Sequence, residues 1–134
     1  MRIIVDANII ISAGLFPESN VGKALADIAK NHKLVVCKYT LDELKNVFKK
    51  KFPDRIEYIN NFIKNFKYEY IDFKVSNYKE YPQIRDVDDI PLLANAIAGK
   101  ADILITGDKD FDGIKIDDLV IMKPSEYLKK YIDI

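Results

Sequence analysis

The chain has few of the residues that carry nucleophilic or soft-metal chemistry. Its 134 residues include one cysteine, Cys37, which excludes an internal disulfide framework and a cysteine-rich zinc site. The single histidine, His32, argues against a Ser-His-Asp triad and against a metal centre built from several histidines. A functional site in this protein must therefore be built from carboxylates, hydroxyls and lysines.

Long hydrophobic runs are also missing, which excludes a transmembrane helix. The longest runs, Ile9–Ile11, Leu34–Val36 and Ile103–Ile105, are far shorter than the roughly 20 residues that cross a bilayer. Asp6 and Asn8 interrupt the first apolar stretch, so we expect no signal peptide. The sequence thus predicts a cytoplasmic protein with no membrane partner.

The net charge is zero, but the charges are unevenly distributed along the chain. Residues 23–79 hold thirteen Lys or Arg against seven Asp or Glu, whereas residues 85–118 hold four against nine. Fifteen of the acids are Asp and only six are Glu. Because Asp prefers helix caps and turns, one interpretation is a protein with many caps; the other is that several short carboxylates converge on a metal ion.

The hydrophobic pattern predicts a single α/β domain over residues 1–134, with a mainly parallel sheet and helices on both faces, because nearly continuous apolar strands alternate with helical spacings. The predicted strands are Arg2–Val5, Leu34–Cys37, Tyr70–Val75, Asp102–Thr106 and Leu119–Met122. Helices are predicted over Asn20–Asn31, from Thr40 to Pro53, from Pro53 through Phe66, from Asp88 or Asp89 to Gly99, and over Pro124–Tyr131, with a loop at Ser76–Val87.

Four acids stand at the ends of these predicted elements. Asp6 and Asp108 follow two apolar strands, and ligands of open α/β sheets bind beyond the carboxyl ends of strands. Asp89 begins one helix and Glu43 lies in the first turn of another. Each has a simpler interpretation alone: Asp89 as a helix cap, Glu43 as the partner of Thr40 in a capping box, Asp108 as a turn residue. Together they favour a site for a hard divalent cation.

Three stretches resemble the motifs of PIN-domain ribonucleases. The opening stretch Ile4–Ser12 is similar to the first motif of that family and Arg85–Ala94 to the central one. Ala101–Phe111 is similar to the last motif, and Thr40–Leu44 fits the place of the family's glutamate. The resemblance covers almost the whole chain in the right order.

This resemblance implies a PIN-like three-layer sandwich and a Mg²⁺- or Mn²⁺-dependent ribonuclease, as in the toxins of VapC-like toxin–antitoxin pairs. It implies an RNA substrate, a possible cognate antitoxin and a homodimer. It carries the acidic, metal-binding site onto Asp6, Glu43, Asp89 and Asp108. Asp86 and Asp110 are additional candidate ligands, and Asn8 and Thr106 match supporting positions.

An RNA substrate also needs basic contacts outside the acidic site, because its phosphates would be repelled there. The candidates are Lys45, Lys49, Lys50, Lys51 and Arg55. The alternative is that these side chains form the solvated face of an amphipathic helix.

Two other functions are consistent with parts of this pattern. A non-catalytic PIN-like module that binds RNA or protein would have the same fold. A receiver-like phosphoacceptor domain also gathers Asp, Thr and Lys at strand ends, but it needs an early acidic pair, and here Asp6 stands alone. Metal-dependent cleavage that Asp6→Asn abolishes separates the enzyme from both.

We predict that the protein forms a homodimer. The resemblance implies one, and the helix after Pro53 carries a wide apolar set. The members of that set are Ile56, Ile59, Phe62, Ile63 and Phe66, and the alternative is that they serve the core. Analytical ultracentrifugation should show a dimer at high micromolar concentration; a monomer there would contradict the prediction.

Overall fold

The computed structural model describes residues 1–81, 84 and 86–132 and has a five-stranded sheet, all of whose pairings are parallel. In chain order the strands are β1 (Arg2–Val5), β2 (Lys33–Cys37), β3 (Glu69–Ile71), β4 (Ile103–Ile105) and β5 (Val120–Met122). Their order across the sheet is β3-β2-β1-β4-β5. The predicted α/β fold with a parallel sheet is confirmed.

In the described part of the chain, six α-helices surround the sheet: α1 (Ala7–Leu15), α2 (Asn20–Asn31), α3 (Lys38–Lys51), α4 (Ile56–Lys64), α5 (Ile90–Ala98) and α6 (Pro124–Tyr127). Short 3₁₀ turns lie at Pro53–Arg55, Tyr78–Glu80, Val87–Asp89 and Lys109–Phe111, and a π-helical turn, Leu128–Ile132, follows α6. None of the helices in the described ranges is both long and apolar enough to span a membrane.

The alternation of side chains along each strand divides the core into two parts. Ile3 and Val5 of β1 face a large cluster that includes residues of α1, α2, α3, α4 and α6. Ile4 faces the opposite cluster, which contains the buried side of α5 and residues such as Phe111. Ile3, Ile4 and Val5 are fully buried, as strands covered on both faces require. The result is the predicted three-layer sandwich.

The chain order of the strands creates a crevice between β1 and β4. The chain adds β2 and β3 on one side of β1, then crosses to the other side to add β4 and β5. In open parallel sheets, ligands bind at such a reversal, outside the carboxyl ends of the strands. Val5 pairs with Ile105, so the residues that follow them, Asp6 and Thr106, lie side by side.

One helix has no counterpart in the sequence prediction. The stretch Ile9–Ile11 is β-branched and a poor helix former by propensity, yet it belongs to α1. Asp6 caps this helix by accepting from the Ile9 backbone N–H, and Ile10 and Ala13 are buried on its inner side. Tertiary burial together with the cap therefore outweighs the weak propensity.

The helix that carries Glu43 begins earlier than predicted. Lys38 is its first residue and Cys37 its N-cap, so Thr40 lies inside the helix and the predicted Thr40–Glu43 capping box is wrong. Thr40 is instead buried, with its hydroxyl 3.3 Å from the Cys37 sulfur. The third strand is shorter than predicted, and the last helix changes to π geometry after Tyr127. Pro82 and Arg85 of the predicted loop and central motif lie outside the described residues.

Gly22 is required where α2 begins. A Cβ on Gly22 would lie 2.2 Å from the carbonyl oxygen of Pro17, which is backbone and cannot rotate away. We expect Gly22→Ala to lower the free energy of unfolding by about 1–3 kcal/mol, as overpacking does. The control is Gly107→Ala, whose Cβ would meet nothing within 4 Å and which should stay within about 0.5 kcal/mol of wild type. Equal urea-unfolding midpoints for both variants would contradict this prediction.

Candidate active site

Asp6 stands where β1 ends and α1 begins, and it is 7% exposed. One carboxylate oxygen accepts from the Ile9 backbone N–H at 3.0 Å, and the other accepts a short hydrogen bond from the Thr106 hydroxyl. Burial raises the pKa of Asp6, although these hydrogen bonds act in the opposite direction. The Asp6 carboxyl is thus held in one orientation in the crevice between β1 and β4.

Thr106 connects Asp6 to the loop after β4. Its hydroxyl donates to Asp6 and accepts from the Asp108 backbone N–H at 3.1 Å. The Asp108 carboxylate in turn accepts from the Asp110 backbone N–H at 2.9 Å and caps the short turn Lys109–Phe111. This series of contacts brings the carboxylates of the last motif to the same end of the sheet as Asp6.

The segment before α5 contributes three more carboxylates. Asp86 accepts from the Asp88 backbone N–H at 2.9 Å and so caps the turn Val87–Asp89. Asp89 occupies the N-cap position of α5, but its side chain makes no capping hydrogen bond. The interpretation of Asp89 as an ordinary helix cap therefore does not hold, since its side chain accepts no backbone N–H at the start of α5.

Asp89 has a strongly perturbed carboxyl group. Its Oδ2 atom is buried and has no hydrogen-bond partner within the described part of the chain. Burial, followed by the charges of Asp108, Asp86, Asp110 and Glu43, raises the pKa of Asp89 to about 7. An unpaired buried carboxylate oxygen is costly, so this atom is arranged to meet a cation or a proton.

Glu43 reaches the same cluster from α3. Burial raises its pKa, and the charges of Asp6, Asp88 and Asp108 raise it further. The neighbouring Tyr39 hydroxyl acts in the opposite direction on the pKa of Glu43, and this hydroxyl donates its proton to the Asp88 carbonyl oxygen at 2.5 Å. Tyr39 therefore links Glu43 to the segment before α5.

The donor set fits a hard divalent cation. One carboxylate oxygen from each of Asp86, Asp89 and Asp110 lies within 4.8 Å of the other two, in the described part of the chain. Oxygen-only ligands of this kind are what Mg²⁺ and Mn²⁺ bind. The cluster also includes Asp108 and Glu43, whose charges raise the pKa of Asp89. Asp6 belongs to it as well, because its charge raises the pKa of Glu43. The structure thus brings together all six acids that the sequence analysis singled out.

The remaining residues of the sequence prediction fall into two groups, those beside Asp6 and the basic candidates. Thr106 supports Asp6 directly, as just described. Asn8 is exposed in the first turn of α1, and its backbone N–H also donates to Asp6. The basic candidates are all exposed, on α3 and on the turn that follows it: Lys45, Lys49, Lys50, Lys51 and Arg55.

Sequence reasoning missed Tyr39. A signal was present, since Tyr39 precedes Glu43 by four residues and side chains at this spacing share one helix face. It was hidden because the helix was predicted to begin at Thr40, which left Tyr39 outside it.

Comparison with protein families identifies the chain. The family model described as the PIN domain matches residues 2–110, which include every acid of the cluster. The chain belongs to the PIN domain family. The resemblance found in the three sequence motifs is thereby confirmed.

A solved structure shares the fold of this PIN domain. A chain of the crystal structure of VapBC2 from Rickettsia felis, bound to a DNA fragment from its promoter, superimposes with a TM-score of 0.70. The two chains are 22% identical, and the match covers 92% of this chain and 98% of the other. A comparison with curated proteins gave no match.

The raised pKa of Asp89 predicts how stability depends on pH without metal. An unfolded Asp has a pKa of about 3.9, so between about pH 4 and pH 7 the folded state holds a proton that the unfolded state has lost. The proton on Asp89 therefore stabilises the folded state at low pH, and this stabilisation is lost as the pH rises to about 7. Asn at position 89 does not titrate, so the Asp89→Asn variant does not lose stability in this way.

We expect the stability of Asp89→Asn relative to wild type to increase from pH 4 to pH 7 and then to level off. The measurement is urea unfolding at several pH values in the presence of a chelator. Asp54→Asn, at an exposed acid outside the cluster, is the control and should follow wild type. A pH-independent difference between Asp89→Asn and wild type would show that the Asp89 carboxyl is not perturbed.

Proposed function

We propose that this PIN-domain protein is a Mg²⁺- or Mn²⁺-dependent ribonuclease that hydrolyses RNA phosphodiester bonds. The observation that carries the proposal is the buried Oδ2 atom of Asp89, which has no hydrogen-bond partner among the described residues, within a cluster of carboxylates at the sheet's reversal point. The resemblance of the motifs to ribonucleases agrees with it. The alternative of a non-catalytic binding module gives no reason to keep so many repelling charges together.

Asp86, Asp89 and Asp110 are the residues best arranged to hold a divalent ion, and Asp6, Glu43 and Asp108 complete the acidic surroundings. When bound, such an ion lowers the pKa of a water molecule and stabilises negative charge on phosphate oxygens. The protein's own residues orient the ligands: Thr106 holds Asp6, Asp108 holds the turn that bears Asp110, and Tyr39 holds the backbone of Asp88, next to Asp89. No nucleophilic side chain is needed, which agrees with the scarcity of cysteine and histidine.

We further propose that the protein is the toxin of a toxin–antitoxin pair. The motif resemblance implies this role, and the structural neighbour is a VapBC2 complex. A cognate antitoxin and a second copy of the chain are the protein partners this assignment entails, and Lys45, Lys49, Lys50 and Arg55 remain candidate contacts for RNA phosphates. Co-purification with the product of the adjacent gene tests the antitoxin directly.

Cleavage assays test the enzyme. The wild-type protein should cut members of a panel of structured RNAs in Mg²⁺ or Mn²⁺ and none in chelator. Asp6→Asn should reduce cleavage to the background, because it changes a carboxylate that lies in the acidic cluster. Asp54→Asn serves as the matched control and should cut like wild type. Cleavage that persists in the presence of chelator, or with the Asp6→Asn protein, would contradict the proposal.

Thermal melts test metal binding independently of cleavage. Mn²⁺ at a hundred times its dissociation constant should stabilise the wild type by about 2.7 kcal/mol, because it binds only the folded state. Without metal, Asp6→Asn should be at least as stable as wild type, since one repelling charge is gone. Its melting temperature should respond much less to Mn²⁺. An equal response of both proteins would mean that Asp6 takes no part in holding the ion.

A further inference from the structure

A groove of about 380 Å³ lies beside the acidic cluster, on the side of β3. Tyr39 of α3 and Pro91 of α5 line one part of it, and Tyr78 and the segment 72–75 line another. Its volume lies near the lower end of the range for small-ligand sites. The groove therefore has room for one ring-sized group.

The groove and the acidic cluster share a wall. Tyr39 lines the groove, while its hydroxyl donates to the Asp88 carbonyl oxygen and acts on the pKa of Glu43 in the cluster. Pro91, which also lines the groove, comes two residues after Asp89. A ligand in the groove is thus separated from the cluster by the thickness of one side chain.

A buried amide holds the groove in shape. Asn95 is 3% exposed, and its side chain accepts from the Phe73 backbone N–H at 2.8 Å and donates to the Phe73 carbonyl oxygen at 3.1 Å. It also donates to the Pro91 carbonyl oxygen at 2.8 Å. Asn95 therefore ties the segment after β3 to α5, and a preformed groove loses less entropy when a ligand binds.

The charges of the groove balance one another. Lys38 pairs with Asp42 at 2.9 Å, and Lys74 and Asp72 are the other two charged residues that line it. A groove with equal numbers of cations and acids does not attract a phosphate. Tyr78 is 47% exposed and makes no ring contact with another aromatic side chain of the described residues, so a neutral planar ring can stack on it.

From these contacts we propose that this groove binds a nucleobase of single-stranded RNA, next to the phosphate that lies at the acidic cluster, with Tyr78 as the stacking residue. The proposal rests on the proposed ribonuclease function for what lies at the cluster. Binding in the groove differs from the phosphate contacts expected of the lysines, because the groove recognises the base, which is the uncharged part of the nucleotide.

Binding of short RNA tests the groove without requiring cleavage. The probes are fluorescein-labelled octamers of A, U and C, and matching octamers with abasic sites, titrated with the Asp6→Asn protein, in which we expect no cleavage. Adding Tyr78→Ala should weaken binding of at least one base-bearing octamer by about 5- to 150-fold, the range for loss of one stacked base. Tyr78→Phe keeps the ring and should bind within about twofold.

The control is Tyr70→Ala, because Tyr70 is 52% exposed on β3 but does not line the groove. It should leave affinity unchanged, and abasic octamers should bind equally to the Tyr78→Ala protein and its parent. The proposal fails if Tyr78→Ala and Tyr70→Ala have equal effects, if the loss persists with abasic octamers, or if no octamer binds. It also fails if Tyr78→Ala weakens binding of a partner protein but not of RNA.

The two proposals fail in different ways. If the wild-type protein cuts RNA while Tyr78→Ala changes nothing, the ribonuclease assignment stands and the groove assignment falls. If the octamers bind through Tyr78 but the wild-type protein cuts no RNA, the groove is a base-binding site and the enzyme assignment falls.

Discussion

The hydrogen bonds of the Asp6 carboxylate are the interaction on which the arrangement of the site depends. One oxygen is bound to the start of α1 and the other to Thr106 at the end of β4. Thr106 also accepts from the Asp108 backbone N–H, so the position of Asp6 helps to fix the position of Asp108. A carboxylate that is buried and bonded on both sides behaves as part of the framework and still adds charge to the crevice.

The direction of the strands separates two electrostatic environments. At the amino end of the sheet, Arg2 forms two hydrogen bonds with Glu69, at 2.9 and 2.6 Å, so charge is neutralised across β1 and β3. At the carboxyl end, acids from four segments meet, and the pKa values of Asp89 and Glu43 are raised. The protein has no net charge, yet one end of its sheet is acidic enough to need a cation or protons.

Much of the fold could be predicted from the sequence because buried parallel strands are nearly continuous apolar runs. Arg2–Val5 and Asn20–Asn31 were predicted with their observed bounds. The helix α1 could not be predicted from propensity, since its isoleucines form a helix only when tertiary packing buries them. Similarly, the sequence pointed to the six acids, but the unpartnered Asp89 oxygen and the role of Tyr39 depend on contacts between distant segments.

The contact between Asp6 and Thr106 has a consequence for synthesis, because the two residues are 100 positions apart in the chain. A ribosome adds about 5–20 residues per second, so the hydroxyl partner is made several seconds after the carboxylate. Until β4 has left the exit tunnel, β1 lacks the neighbour that completes the crevice. The growing chain is therefore without its site during that interval, and the acids come together only when the crossover from β3 closes.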